Sequence, residues 1–150
     1  MFGLFMSGVT AFPLLHEMNY ISAYLTDGGD LNPINYTGLT NWILTVREGL
    51  EITYREYPFI GYGYDWLAFA HLMIMLYFIL PYKDPIRYEG VMHVGVWSSV
   101  LVFPLAFICG ALREIPFYWR IIDCMFGVFC IPPLIYAIWL TRKLKVDVNI

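Results

Sequence analysis

Three apolar runs, each bounded by charge, govern what this chain can become. The first extends from about Trp66 to Tyr82, the second from about Val91 to Leu112 and the third from about Phe117 to Leu140. A helix needs roughly 20 mostly apolar residues to cross the ~30 Å hydrocarbon core of a bilayer, and each run meets or approaches that length. Asp65 heads the first run and Pro81 closes it. Lys83-Asp84 and Arg87-Tyr88-Glu89 separate the first two, Arg113-Glu114 separates the next two, and Arg142-Lys143 ends the third. Composition agrees, with 59% hydrophobic and 14% charged residues. A soluble domain carries about 25% charged residues, and one of this size could not hide so much apolar surface. Part of its solvent must be lipid.

The N-terminal run is shorter. Met1 to Leu15 spans only if its helix continues through Met18, Tyr20, Ile21 and Leu25, carrying His16 and Glu17 near its outer end. The alternative is that the first helix begins upstream of Met1. A cleaved signal is not expected, because no Lys or Arg precedes the run and His16-Glu17 stands where small residues should be. The expected fold is therefore an all-α integral membrane protein. It is a single membrane domain, a bundle of about four transmembrane helices (about 1–25, 65–82, 91–112 and 117–140) plus one extramembrane amphipathic helix.

That helix belongs to the stretch from about 26 to 63. The stretch opens with turn residues, Asp27-Gly28-Gly29-Asp30 and Asn32-Pro33. Leu39, Trp42, Ile43, Val46, Leu50, Tyr54 and Tyr57 then recur at three- and four-residue steps, one face of a helix. Arg47, Glu48, Glu51 and Arg55 take the other face and offer the i,i+4 pairs Arg47–Glu51 and Glu51–Arg55. Thr37 is the expected N-cap and Pro58 the stop. Such a helix either lies in the membrane interface or caps the bundle. Pro58 to Tyr64 reads as a tight interfacial link. Asn35-Tyr36-Thr37 fits a glycosylation sequon, which has meaning only in a secretory setting.

Lys83, Arg87, Arg142, Lys143 and Lys145 lie on one side of this topology, and Arg47, Arg55, Arg113 and Arg120 on the other. The excess of Lys and Arg marks the cytoplasmic side. Both termini are expected inside, in a bacterial inner membrane. Aromatic residues gather near the ends of the runs, as an interfacial belt requires. Gly95, Ser99, Ala106 and Gly110 fall within about 60° of one another at 100° per residue, a small-residue stripe suited to close helix packing. Pro104 lies opposite. Pro132-Pro133 should break or bend the last helix.

The same topology gathers His16, Glu17, Asp65, His71, Arg113, Glu114, Arg120 and Asp123 toward the outer side. Ionisable groups in membrane segments are costly, so each is a functional candidate. His71 lies about 9 Å along its helix from Asp65. With His16, provided that the first helix runs on through Leu25, it forms the one histidine pair matched in depth for a haem iron, a metal or a quinone; a hydrogen bond to a carbonyl of a neighbouring helix is the plainer alternative. His93 enters its helix from the opposite side. Arg120 and Asp123, at i,i+3, are expected to pair as a clamp.

Cys109, Cys124 and Cys130 sit in apolar runs without a CxxC pair and read as small buried hydrophobes. With nine Lys and Arg and a net charge of −3 there is no nucleic-acid footprint. No phosphate-cradling glycine loop, HExxH, GxSxG or di-iron carboxylate–histidine pattern occurs. Three functions follow as expectations. The first is an accessory or interaction subunit of a larger membrane complex, its partner a membrane protein or a second copy. The others are a haem-, metal- or quinone-binding redox protein, and a proton or small-solute transporter. The identity of any cofactor is not fixed by these residues.

Overall fold

The computed structural model describes residues 1–147. The described residues form helices and connecting turns without a strand: α1 (Phe2–Ala11), α2 (Leu14–Leu25), α3 (Gly38–Glu56), α4 (Pro58–Tyr77), α5 (Ile79–Lys83), α6 (Glu89–Leu112) and α7 (Phe117–Asp147), with one 3₁₀ turn at Pro33–Asn35. Three helical stretches among them are long and apolar enough to cross a membrane: Pro58–Lys83, Glu89–Leu112 and Phe117–Asp147. The chain divides into two compact units, Met1–Leu76 and Tyr77–Ile150.

In the first unit the N-terminal run is two helices, α1 and α2, rather than one. Pro13 explains the interruption, since its missing N–H and ring break the ladder, and the chain turns there at ψ 34°. The end of α2 is shaped by Gly28. At φ +72° it adopts the left-handed conformation natural to glycine, and its N–H reaches the Ala23 carbonyl at 2.8 Å. The following loop is organised by Asp30. Its carboxylate accepts from the Asn32 N–H at 3.0 Å and from the Asn35 side-chain amide, and its carbonyl accepts from the Tyr36 hydroxyl at 2.9 Å.

Helix α3 packs on α2 through its apolar side. Ile43, Leu44 and Leu50 are buried, while Leu39 and Tyr57, at the ends of the expected face, stay exposed. Arg47 bridges Glu51 at 3.0 Å and donates to the Asn19 side chain of α2 at 2.7 Å. Arg55 turns to Glu56 at 3.3 Å instead of Glu51. Pro58 stops α3 and also starts α4. A helix's first N–H has no intrahelical partner, so proline costs nothing at that position. The stretch from Pro58 to Tyr64 is thus helix rather than link, and the first long span begins about two turns earlier than the sequence pattern indicates. Gly8 of α1 lies against Ala68 and Leu72 of α4, and a Cβ there would sit 2.8 Å from the Leu72 side chain and 3.1 Å from the Ala68 carbonyl.

The second unit is built on the pair α6 and α7. Gly127 brings the backbones together, since a Cβ on it would come within 2.6 Å of the Ser99 carbonyl. Gly95 receives Phe78 and Leu134, and Gly110 receives the Arg120 stem. Gly95 and Ser99 of the small-residue stripe are therefore consumed inside the chain. Two buried hydroxyls of this unit are satisfied on their own helices: Ser99 donates to the Gly95 carbonyl and Thr141 to the Ala137 carbonyl, both at 2.9 Å. Helix α7 runs through Pro132-Pro133 and α6 through Pro104 without interruption. At 31 residues α7 is about 46 Å long. That exceeds the ~30 Å core, so its basic last turns reach beyond the apolar layer.

Two outcomes are expected. Gly127→Ala should lower the unfolding stability in detergent by about 1–3 kcal/mol, because the atom it meets is backbone and cannot swing away. Its hydrogen bonds from Asn32 and Asn35 hold the Asp30 carboxyl below the usual carboxylate range. A lowered folded value means that the contribution is present above the unfolded value of 3.8 and is lost as pH falls through the folded one. Amide exchange at Asn32 should accordingly accelerate only in that acid range.

Candidate functional site

The expected outer polar residues fall into both units. In the first, His16 and Glu17 lie in the opening turns of α2, where Glu17 suits the positive helix end. Asp65 and His71 lie on α4. The Nδ1 of His71 donates to the Leu67 carbonyl of its own helix at 2.7 Å, which leaves only Nε2 for any other partner. Among the described residues, no group of three or more His, Cys, Asp and Glu is placed to hold a metal.

Asp65 sits among aromatic rings. Together with Phe12, Tyr62, Trp66 and Phe69 it lines a shallow depression of about 310 Å³. The Tyr62, Trp66 and Phe69 rings meet edge to face at 6.1 Å each and are 62%, 56% and 44% exposed. The Asp65 carboxylate has no hydrogen bond or ion pair among the described residues.

In the second unit, Arg113, Glu114, Arg120 and Asp123 gather at the turn joining α6 to α7. The turn closes with the Ile115 N–H on the Gly110 carbonyl at 2.9 Å. Glu114 accepts a φ of +58° to make it, a conformation costing about 1–2 kcal/mol outside glycine. Arg120 clasps this turn, its Nε donating to the Ile115 carbonyl at 2.7 Å. This replaces the expected Arg120–Asp123 pair. Side chains on a helix lean toward its N-terminus, so Arg120 reaches back to the turn and away from a carboxylate three residues ahead. Asp123 is left without a hydrogen bond or ion pair among the described residues, as is the Arg113 side chain. Both line one groove of about 320 Å³ between α6 and α7, with Val102, Leu105, Ala106, Cys109, Gly110 and Ile115 as its walls.

The strongest charge cluster lies at the other end of the α6/α7 pair, and sequence reasoning missed it. Glu89 accepts from the Lys145 ammonium at 2.5 Å, from His93 Nε2 at 3.2 Å and from Arg142 Nε at 3.3 Å. Its side chain is only 14% exposed. One carboxylate thereby fastens the start of α6 to the end of α7. The i,i+4 spacing of Glu89 and His93 was a legible signal, and the antiparallel course of the two helices carries the basic tail to it.

No protein-family model, curated protein or solved structure matches the chain.

Glu89→Gln should reduce the thermal midpoint by several degrees, at about 2–4 °C per kcal/mol in a domain of this size, since it leaves Arg142 and Lys145 side by side without their counter-charge. Arg55→Gln, at an exposed pair on α3, should leave the midpoint unchanged.

Proposed function

We propose that this protein is an accessory subunit of a larger membrane complex, docking through the aromatic side of α4. The observation that carries the reading is the state of α4. It is a span by length and hydropathy, yet only 6% of its apolar window is buried inside the chain. On that uncovered surface stands a carboxylate ringed by Tyr62, Trp66 and Phe69. Lipid would solvate the rings but not the charge, which is worth several kcal/mol against burial in hydrocarbon. Exposed Trp and Tyr around one polar group resemble the aromatic anchors that dominate protein interfaces. A partner helix bearing Arg or Lys would meet Asp65 and cover the rings in one contact.

The reading includes four crossings with both termini on the cytoplasmic side. The packing of Gly8 on Ala68 and Leu72 supports the first crossing, because those residues stand near the middle of the Pro58–Lys83 span. The basic turns of α7 and the Lys83–Arg87 region support the orientation.

The test is extraction of the native protein in mild detergent, followed by the mass and composition of the particle. The expected result is a stoichiometric assembly with a second membrane protein, lost on Trp66→Ala and weakened on Asp65→Asn while helicity persists. A lone protein, or an assembly indifferent to both substitutions, would sink the proposal.

A further inference from the structure

We propose that Arg142 and Lys143, at the end of the α6/α7 pair that carries Glu89, bind the headgroup of one anionic phospholipid whose acyl chains lie along the exposed strip of α7 beneath them. Two basic segments meet at this end because Glu89 draws them together. It is bonded to Arg142 and Lys145 of α7, 53 and 56 residues away in sequence, and Arg87 stands two residues before it. Four cations, Arg87, Arg142, Lys143 and Lys145, thus share this end with two carboxylates, Glu89 and Asp147. The Glu89 carboxylate is taken up by its contacts with the chain. Arg142 gives it only Nε, at 3.3 Å, and its two terminal nitrogens make no hydrogen bond among the described residues, while the side chain is 64% exposed. Lys143 has no ion pair among the described residues, and its ammonium lies 3.7 Å from the centre of the Trp139 ring. The cations with donors to spare are adjacent in sequence and exposed, and an anion is their complement.

The order of groups along α7 is the order of groups in a lipid. Phe129, Tyr136, Trp139 and Lys143 fall within about 80° of one another at 100° per residue, and all of them are exposed. Lys143 is outermost, Trp139 lies beneath it and stacks on Tyr136 at 5.7 Å, and Phe129 is deepest. Trp and Tyr at such a level form the interfacial belt, so the ammonium outside them stands among the phosphates. From Lys143 to Phe129 is about 21 Å of helix, and half of a bilayer with its headgroups is about 20–22 Å. A phosphate at Lys143 therefore leaves its chains against Tyr136 and Phe129 within the same leaflet. The Trp139 ring holds Lys143 back along the helix, the direction in which helical side chains lean. The ammonium is placed before the lipid arrives, and less side-chain freedom is lost on binding. Arg142 adds planar donors that match phosphate oxygens. A zwitterionic lipid gains less, because its ammonium points to the water side of an end that is already positive. Asp147, about one turn further out, is the carboxylate it would meet, and an ion pair exposed to water contributes little.

The experiment is intact-protein mass spectrometry of the purified full chain from detergent, titrated with phosphatidylglycerol, phosphatidylethanolamine and phosphatidylcholine of identical acyl chains. The expected result is one glycerol lipid per chain, held about tenfold more tightly than either zwitterion. Lys143→Gln should remove most of that preference, and Lys143→Glu all of it. Trp139→Leu keeps every charge and removes the seat of Lys143, so it should weaken the glycerol lipid about threefold. Arg55→Gln removes the same charge from α3 and should change nothing, which separates a site from overall charge. Circular dichroism checks that each variant remains helical. Equal retention of the three lipids, a preference for a zwitterion, or a preference unchanged in helical Lys143→Gln and Lys143→Glu variants would overturn the proposal. So would an equal loss in Arg55→Gln, or displacement of the lipid by inorganic phosphate at the same concentration, which would assign the cations to a free anion. The assignment rests on α7 as a membrane span and not on the docking role of α4. A lone chain that keeps the lipid preference would sink the accessory role alone, and an α4-dependent assembly without the preference would sink this assignment alone.

Discussion

The backbone contact between Gly127 and the Ser99 carbonyl sets the geometry of the second unit. In lipid there is no hydrophobic force to press two apolar helices together, because acyl chains solvate leucine as well as another leucine does. What remains is close packing, and only a residue without a side chain lets one helix touch the other's backbone. The same pair of helices is closely packed at Gly95, which receives Phe78 and Leu134, and at Gly110, which receives the Arg120 stem. The short turn between the helices places Glu114 in the left-handed region. The prolines are tolerated for a related reason. Pro104, Pro132 and Pro133 each withdraw a donor from a helix whose other groups are bonded within it, and protein neighbours or water can satisfy the carbonyls so freed.

The two ends of the α6/α7 pair are handled by opposite means. At one end a single carboxylate, Glu89, is bonded by the His93 ring of its own helix and by two cations, Arg142 and Lys145, of its neighbour. At the other the chain spends Arg120 on a backbone carbonyl and leaves Arg113 and Asp123 unspent within one groove. A fold needing only a fastener could have used the carboxylate it already had, three residues from Arg120. The arginine's lean toward the helix N-terminus prevents that, and Arg113 and Asp123 remain on one hollow without a partner among the described residues.

Much of the architecture was legible in the sequence because a lipid-facing helix advertises itself by length and hydropathy. Helicity and the three long spans follow from that signal alone. Their ends do not. Pro58 to Tyr64 resembles a loop by its glycines and proline, yet proline at a first helical position and glycines among aromatic residues do not prevent a span from starting. Thr141 to Asp147 is too polar to be read as membrane, but an established helix continues into water at little cost. The site was legible to the extent that antiparallel helices joined by a short turn must bring Arg113 near Asp123. Pairing Arg120 with Asp123 relied on spacing and ignored side-chain direction. The Glu89 cluster depends on contacts 53 and 56 residues apart, which no local pattern encodes.

A charged residue near a membrane span is a clamp or a site according to who supplies its counter-charge. Glu89 obtains all of its partners from the chain, so its role is complete when the chain has folded. Asp65 and Asp123 obtain none among the described residues, and ionised carboxylates that face hydrocarbon without a donor are disfavoured by several kcal/mol. Such a carboxylate is relieved by water, by a counter-charge from outside the chain or by taking up a proton. Asp65 stands among broad exposed rings on α4, and Asp123 stands in a hollow of nearly the same volume that it shares with the Arg113 side chain. The first surface offers a lone negative charge framed by aromatic rings, the second a negative and a positive charge together, so what separates the two is the charge within reach of each carboxylate rather than the depth of the hollow.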